Sequence, residues 1–293
     1  MAAMIRHLAI ACVAALLGAC ATPFDLQGHR GTRGLRPENT LPAFAKALEI
    51  GVDTLELDTN VTRDDVVVVM HDTRLNPDVA RGPDGEWLTA RGPAVHELTY
   101  GELSRYDVGR LKPGTRYAAG FPDQAAVDGT HAPRLADVFA LVREIRHGGM
   151  ARRSTIQSFD WRTLAVVQRI APDIPTVYLT SQQKWGDTVC TGEAKGTPAI
   201  DPVACGESPW TAGVQLRRQG SVPRMVKAAG GATWSPYYQD VDAAKIAEAH
   251  ALGIAVVVWT VNDPEQMKRM VEMGADGLIT DRPDIFRSID LKK

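Results

Sequence analysis

The apolar positions of this chain switch repeatedly between a period near 3.6 and a period of two, the signature of helices alternating with strands. Leu41, Phe44 and Leu48 fall at i, i+3 and i+7, so the spacing predicts a helix that Gly51 ends. Residues 54–61 alternate instead, with Leu55 and Leu57 on one face of a strand and Glu56 and Asp58 on the other. Residues 66–70 form a continuous apolar run, as in a buried strand, and stop at His71. Later strands are expected at 154–158, 176–180, 232–236, 255–260 and 277–280, and helices at 135–145, 164–170, 241–251 and 264–273.

Strands alternating with helices imply a parallel α/β sheet. Polar residues recur where strands end (His29, His71, Asp281), which points to a closed TIM-type (β/α)8 barrel over residues 24–290. Residues 76–133 interrupt the rhythm. They are rich in Gly, Pro, Asp and Arg with little periodicity, and read as a long insertion over one end of the barrel. Glu56 and Asp58 are the costly feature of the pattern, because two carboxylates on one face of a buried strand need a cation.

The first 22 residues stand apart. After Arg6 and His7 comes an apolar run of about ten residues, 8–17, which suits a signal sequence and falls short of the roughly 20 needed to span a bilayer. It closes on Leu17-Gly18-Ala19-Cys20, which looks like a bacterial lipobox with Cys20 as the lipidated residue. Cleavage after a small residue such as Ala21 is the alternative; both readings export the protein. The expected address is the periplasm, with a lipid anchor as the only membrane attachment. In that oxidising setting Cys190 and Cys205 are expected to pair as a disulfide, the alternative being two free thiols.

Charge narrows the partners. With 33 basic against 35 acidic residues the chain lacks a basic footprint, so nucleic acid is not expected and a small-molecule substrate is. The informative stretches are His29-Arg30-Gly31, Pro37-Glu38-Asn39-Thr40, Glu56-Leu57-Asp58, His71-Asp72, Ser158-Phe159-Asp160, Trp259-Thr260-Val261-Asn262 and Thr280-Asp281. In their order and spacing they resemble the glycerophosphodiester phosphodiesterase family, from about residue 24 to 288. The resemblance implies metal-dependent hydrolysis of glycerophosphodiesters to sn-glycerol 3-phosphate and an alcohol. It makes His29 and His71 an acid/base pair, Arg30 the phosphate ligand, and Glu56 and Asp58 the ligands of one Ca²⁺ or Mg²⁺ ion.

That chemistry is coherent by itself. A phosphodiester repels nucleophiles, so a divalent ion and a guanidinium must offset its charge. Two imidazoles can then exchange protons with the attacking and leaving oxygens near neutral pH. The attacker is either water or the substrate's own glycerol hydroxyl. Glu38 and Asn39 either cap the first helix or meet the site. Trp259 belongs to the core or lines the glycerol pocket, and Asp72 is expected to orient His71. His131, His147 and His250 read as surface or loop residues.

The pattern also breaks. The family's third metal carboxylate, from the next barrel strand, has no counterpart here. Only about ten residues separate the helix at 135–145 from the strand leading to Ser158, whereas a crossover alone takes a dozen or more. One strand–helix unit is therefore expected to be missing, leaving a barrel of seven strands, open or distorted, with a weakened metal site. A lysophospholipase D or sphingomyelinase D-like enzyme, and a phosphodiester-binding homologue with impaired catalysis, are the alternative functions.

Overall fold

The computed structural model describes residues 24–145, 155–190 and 205–290; the segment with Cys20, and residues 147–153 at the expected gap, lie outside them. Eleven strands are present among the described residues: β1 (Asp25–Gly28), β2 (Thr54–Leu55), β3 (Thr59–Val61), β4 (Val67–Val69), β5 (Ile156–Ser158), β6 (Thr176–Thr180), β7 (Gln182–Gln183), β8 (Gly186–Asp187), β9 (Thr233–Pro236), β10 (Ala255–Val258) and β11 (Gly277–Thr280). Seven of them form one curled sheet in the order β2-β1-β11-β10-β9-β6-β5, every neighbouring pair parallel. The sheet is an incomplete (β/α)8 barrel. Its two edges, β2 and β5, flank the place where the sequence has no room for a strand and its helix.

Two strand expectations change. The alternating segment 54–61 is not one strand: the ladder stops after Leu55, Glu56 to Asp58 run irregularly, and β3 begins at Thr59. The apolar run before His71 is not a barrel strand either. β4 turns back on β3 as an antiparallel hairpin outside the sheet, with Val67 partly exposed and Val68 and Val69 buried. Continuous apolar residues signal burial on both faces, but periodicity alone does not say against what.

The helix Leu41–Ile50 shows how local chemistry sets the frame. The Thr40 hydroxyl caps its start by accepting from the Ala43 amide, Pro42 sits in the first turn, and Gly51 ends it at φ 85°, a left-handed conformation that favours glycine. Ala43, Phe44 and Ala47 are the face it buries. The main core lies between the sheet and its outer helices and includes Leu26, Trp161, Tyr178, Trp234, Val256 and Leu278. Each such large side chain contributes on the order of 1.5–3 kcal/mol by leaving water.

The insertion is more ordered than its composition suggests. Short helices at Tyr100–Leu103 and Arg116–Ala119 and a 3₁₀ turn at Val95–Glu97 surround a small core of Val68, Leu75, Ala80, Val95, Leu103, Val108 and Ala132. Arg81 ties Asp107 to Asp128. Cys190 and Cys205 are joined as a disulfide, Cα atoms 5.2 Å apart, within the main core. No helix among the described residues is long and apolar enough to cross a membrane.

Candidate active site

Strand register assembles the centre of the site. Gly28 pairs with Thr280 on one side and with Leu55 on the other, so the next residue of each strand, His29, Asp281 and Glu56, arrives at one level on the C-terminal rim. The His29 amide continues the ladder to the Thr280 carbonyl at 2.8 Å. Gly28 is required there: a Cβ on it would stand 2.2 Å from the Gly31 carbonyl oxygen.

His29 Nδ1 lies 2.6 Å from Asp281 Oδ1, and its Nε2 lies 4.0 Å from Glu56 Oε2. Asp281 is buried, and accepts further hydrogen bonds from Arg33 at 2.9 and 3.0 Å and from Asn262 Nδ2 at 2.6 Å. Burial alone would raise its pKa, but His29 and Arg33 outweigh burial and hold the carboxyl well below the usual carboxylate range. An ionised carboxylate only accepts, so the proton between them sits on His29 Nδ1 and Nε2 is left for other partners.

Arg30 occupies a strained position, with φ at 50°. Its amide donates to Glu56 Oε2 at 2.9 Å and its NH1 to Glu38 Oε1 at 2.7 Å. The buried Nε has no hydrogen-bond partner among the described residues, although Asp58 Oδ2 lies 3.4 Å away. Burial opposes the charge of Arg30, yet Glu38 and Asp58 more than offset it and its pKa stays raised. Glu38 also accepts from the hydroxyl of Tyr117, which comes from the insertion; burial first, and Glu38 second, push that phenol's pKa up and keep it a donor. Arg33 NH1 donates to the same hydroxyl at 3.3 Å, and the Arg33 guanidinium stacks over Phe121 at 4.6 Å. Neither Glu38 nor Asn39 caps the helix; Thr40 does. Asn39, at φ 56°, donates to Asp58 Oδ2 at 3.0 Å.

The irregular stretch after β2 places the two acids differently. Glu56 is buried, and its pKa is raised by burial first and by the charge of Asp58 second. Asp58 is partly open to solvent. Its carbonyl accepts from the Met70 amide at 3.0 Å, which sets the next residue, His71, beside the carboxylates. His71 is more exposed than His29, 45% against 14% of its side chain. Its Nδ1 lies 2.9 Å from Asp72 Oδ1, a hydrogen bond that is the main reason the Asp72 pKa is lowered, with Asn76 adding at 2.7 Å. Both imidazoles are thus held at Nδ1 by an ionised carboxylate.

Trp259, the predicted pocket residue, is half-buried, and its indole N–H donates to the Ser235 carbonyl at 2.9 Å. It packs edge-on with Phe159 after β5, Tyr237 after β9 and Trp185 on the β7–β8 hairpin, centroids 5.3–6.3 Å apart. Trp185 is 65% exposed. His131 and His250 are exposed, His250 on Asp276 at 2.9 Å, and His147 lies outside the described residues.

Three contributors escaped the sequence reading. Asp281 ends a strand within the Thr280-Asp281 motif, and its position after Gly277-Leu278-Ile279-Thr280 is the available signal. Arg33 and Tyr117 carried none, because only the folded insertion brings Tyr117 to Glu38.

A model of the glycerophosphoryl diester phosphodiesterase family matches residues 29–151 and 140–285, two matches that overlap at 140–151, around the gap expected from the sequence. A glycerophosphodiester phosphodiesterase of Caldanaerobacter subterraneus is 25% identical over 283 residues, covering 87% of this chain and 93% of its own. A human lysophospholipase D is 24% identical over 290 residues, covering 88% and 83%. The crystal structure of a protein from Silicibacter pomeroyi, described as a glycerophosphoryl diester phosphodiesterase, superposes with a TM-score of 0.74 at 34% identity, covering 90% of this chain and 92% of that one.

Proposed function

Because the chain belongs to the glycerophosphoryl diester phosphodiesterase family, we propose that it hydrolyses glycerophosphodiesters to sn-glycerol 3-phosphate and an alcohol with the help of one divalent ion. The observation that carries this reading is the pair of imidazoles, each locked at Nδ1 by a carboxylate, together with Arg30 held against Glu38 and Asp58. The donor set suits Ca²⁺ or Mg²⁺, which take hard oxygen ligands. Burial first, and the charge of Asp58 second, raise the Glu56 pKa, so a cation held by the two carboxylates would offset both. Such an ion would supply positive charge against the phosphate oxygens.

The remaining work falls to side chains. Arg30 is held by Glu38 with its Nε–H unsatisfied; a buried donor in that state costs on the order of 1–3 kcal/mol, and a phosphate oxygen accepts from it at no such cost. His29 and His71 each present Nε2, one to take the proton of the attacking oxygen and the other to return one to the leaving alkoxide. Asp281 and Asp72 keep those rings in the tautomer the transfer needs. Water and the substrate's own glycerol hydroxyl both remain as attackers, and ³¹P detection of a cyclic phosphate separates them.

The test is release of glycerol 3-phosphate from glycerophosphocholine, followed with glycerol 3-phosphate dehydrogenase. His29→Ala and His71→Ala are each expected to lower turnover by roughly 10²–10⁴. Product formation by either variant at the wild-type rate would sink the reading, and no product from wild type would favour the binding homologue. The ring cluster around the exposed Trp185, with the human lysophospholipase D as a relative, favours a second reading in which lysophospholipids are also cleaved. Lysophosphatidylcholine as substrate tests it. The disulfide supports an exported protein, and we extend the proposal to a periplasmic location with Cys20 as the lipid anchor.

A further inference from the structure

The two edges of the open sheet come together through a side-chain contact: Gln157 Nε2 of β5 donates to Glu56 Oε1, just beyond β2, at 2.8 Å across 101 residues of chain. Glu56 Oε2 is already taken by the Arg30 amide, and Asp58 Oδ2 by Asn39. Gln157 therefore sits on the carboxylate oxygen of Glu56 that no other described group occupies. Among the described residues no cluster of three or more His, Cys, Asp or Glu side chains is arranged for a metal ion. A hard divalent ion nonetheless takes six or more oxygens, and protein amide carbonyls serve it as well as carboxylates.

We propose that Gln157 is the third protein oxygen ligand of the divalent ion held by Glu56 and Asp58. This rests on the metal-dependent reading above. A carboxamide suits the position because half a turn about its last bond exchanges donor for acceptor. Without an ion, Nε2–H satisfies the buried Glu56 oxygen and bridges the seam. With an ion, the same residue offers Oε1, and Glu56 finds its partner in the cation. A third carboxylate at this place would instead repel Glu56 whenever the ion is absent. β5 supplies the residue rigidly, since Gln157 pairs with Val177 in the parallel ladder to β6.

Calorimetric titration of the chelator-treated full chain with CaCl₂ and MgCl₂ tests the assignment, using wild type, Gln157→Met and Gln157→Glu. Gln157→Met keeps the bulk and removes both amide atoms; its dissociation constant is expected to rise at least 10-fold, within the range of roughly 10–100 typical for losing a group that serves a metal site. Gln157→Glu keeps an oxygen ligand and adds charge, so it is expected to bind at least as tightly as wild type. A shift of the thermal midpoint on adding ion should follow the same order.

If Gln157 only oriented Glu56 through its N–H, Gln157→Glu would bind more weakly than wild type, and that result overturns the proposal. Gln157→Met binding within threefold of wild type overturns it too. Wild type that binds neither ion, with turnover insensitive to chelator, overturns the metal-dependent reading and this proposal together.

Discussion

The two flanks of the site are built by different means. On the closed flank, β1 and β11 are paired along four residues, and the register itself sets His29 against Asp281, with Arg33 and Asn262 completing a buried cluster. On the open flank the outer edges of β2 and β5 pair with no strand among the described residues. There His71 reaches the site on a hairpin, Glu38 is held by Tyr117 from the insertion, and Gln157 crosses the seam by a side chain alone. Backbone ladders offset the ordering of each residue with regular hydrogen bonds, whereas contacts through long side chains must offset lost rotamer freedom as well. The closed flank should therefore couple catalysis to stability, and the open flank should lose one without the other.

The largest expected effect is on the closed flank. Asp281→Asn leaves Arg33 and His29 sharing a neutral partner in a buried setting, at a cost of roughly 3–5 kcal/mol in stability and roughly 10²–10⁴ in turnover. The sign of the pH dependence follows from the depressed Asp281 pKa. Its stabilisation is fully present above the unfolded value of about 4 and is lost progressively as pH falls below that. Urea melts from pH 7 to pH 2 should show wild type losing stability over the acid limb and Asp281→Asn showing a flatter curve. Parallel slopes would break the contrast between the flanks.

A smaller effect belongs to the disulfide, which lies in the main core. Cys190 and Cys205 are 15 residues apart, and opening a loop of that size is expected to cost about 3 kcal/mol. Denaturation with and without reductant measures it. Glycerophosphocholine turnover below the melting range should change little, because no disulfide atom touches the two histidines or Arg30.

The smallest effect sharpens the comparison from the open side. Tyr117→Phe removes the hydrogen bond that steadies Glu38 and, through it, Arg30. A loss of about 1 kcal/mol in phosphate binding, about fivefold in KM, is expected, with the thermal midpoint little altered. A fall in kcat at constant KM would show that Tyr117 acts on the reaction rather than on binding.

Much of this was legible beforehand, unevenly. The gap after the helix at 135–145 could be counted from residue numbers, since a parallel crossover has a minimum length. The open seam between β2 and β5 matches that count. His29, Arg30, Glu38, Glu56, Asp58 and His71 stood in recognisable short motifs, and the fold brings them to one rim. The failures have a common cause. The runs at 54–61 and 66–70 were read by local period, but whether a strand joins the main sheet or folds back as a hairpin depends on a partner elsewhere in the chain. Glu38 and Asn39 read equally as helix caps or as site residues, because both roles use the same polar types.

By itself the sequence determined most of the barrel's strands and helices, where the barrel is short, and which polar motifs stand at strand ends, because periodicity, capping and chain length are local properties. Only the tertiary structure decided that Asp281 holds His29, that an unpatterned insertion sends Tyr117 to Glu38, and that Gln157 reaches Glu56 across the seam. Those pairings span from 79 to 252 residues of chain, and nothing short of packing the whole sheet sets distances over such separations.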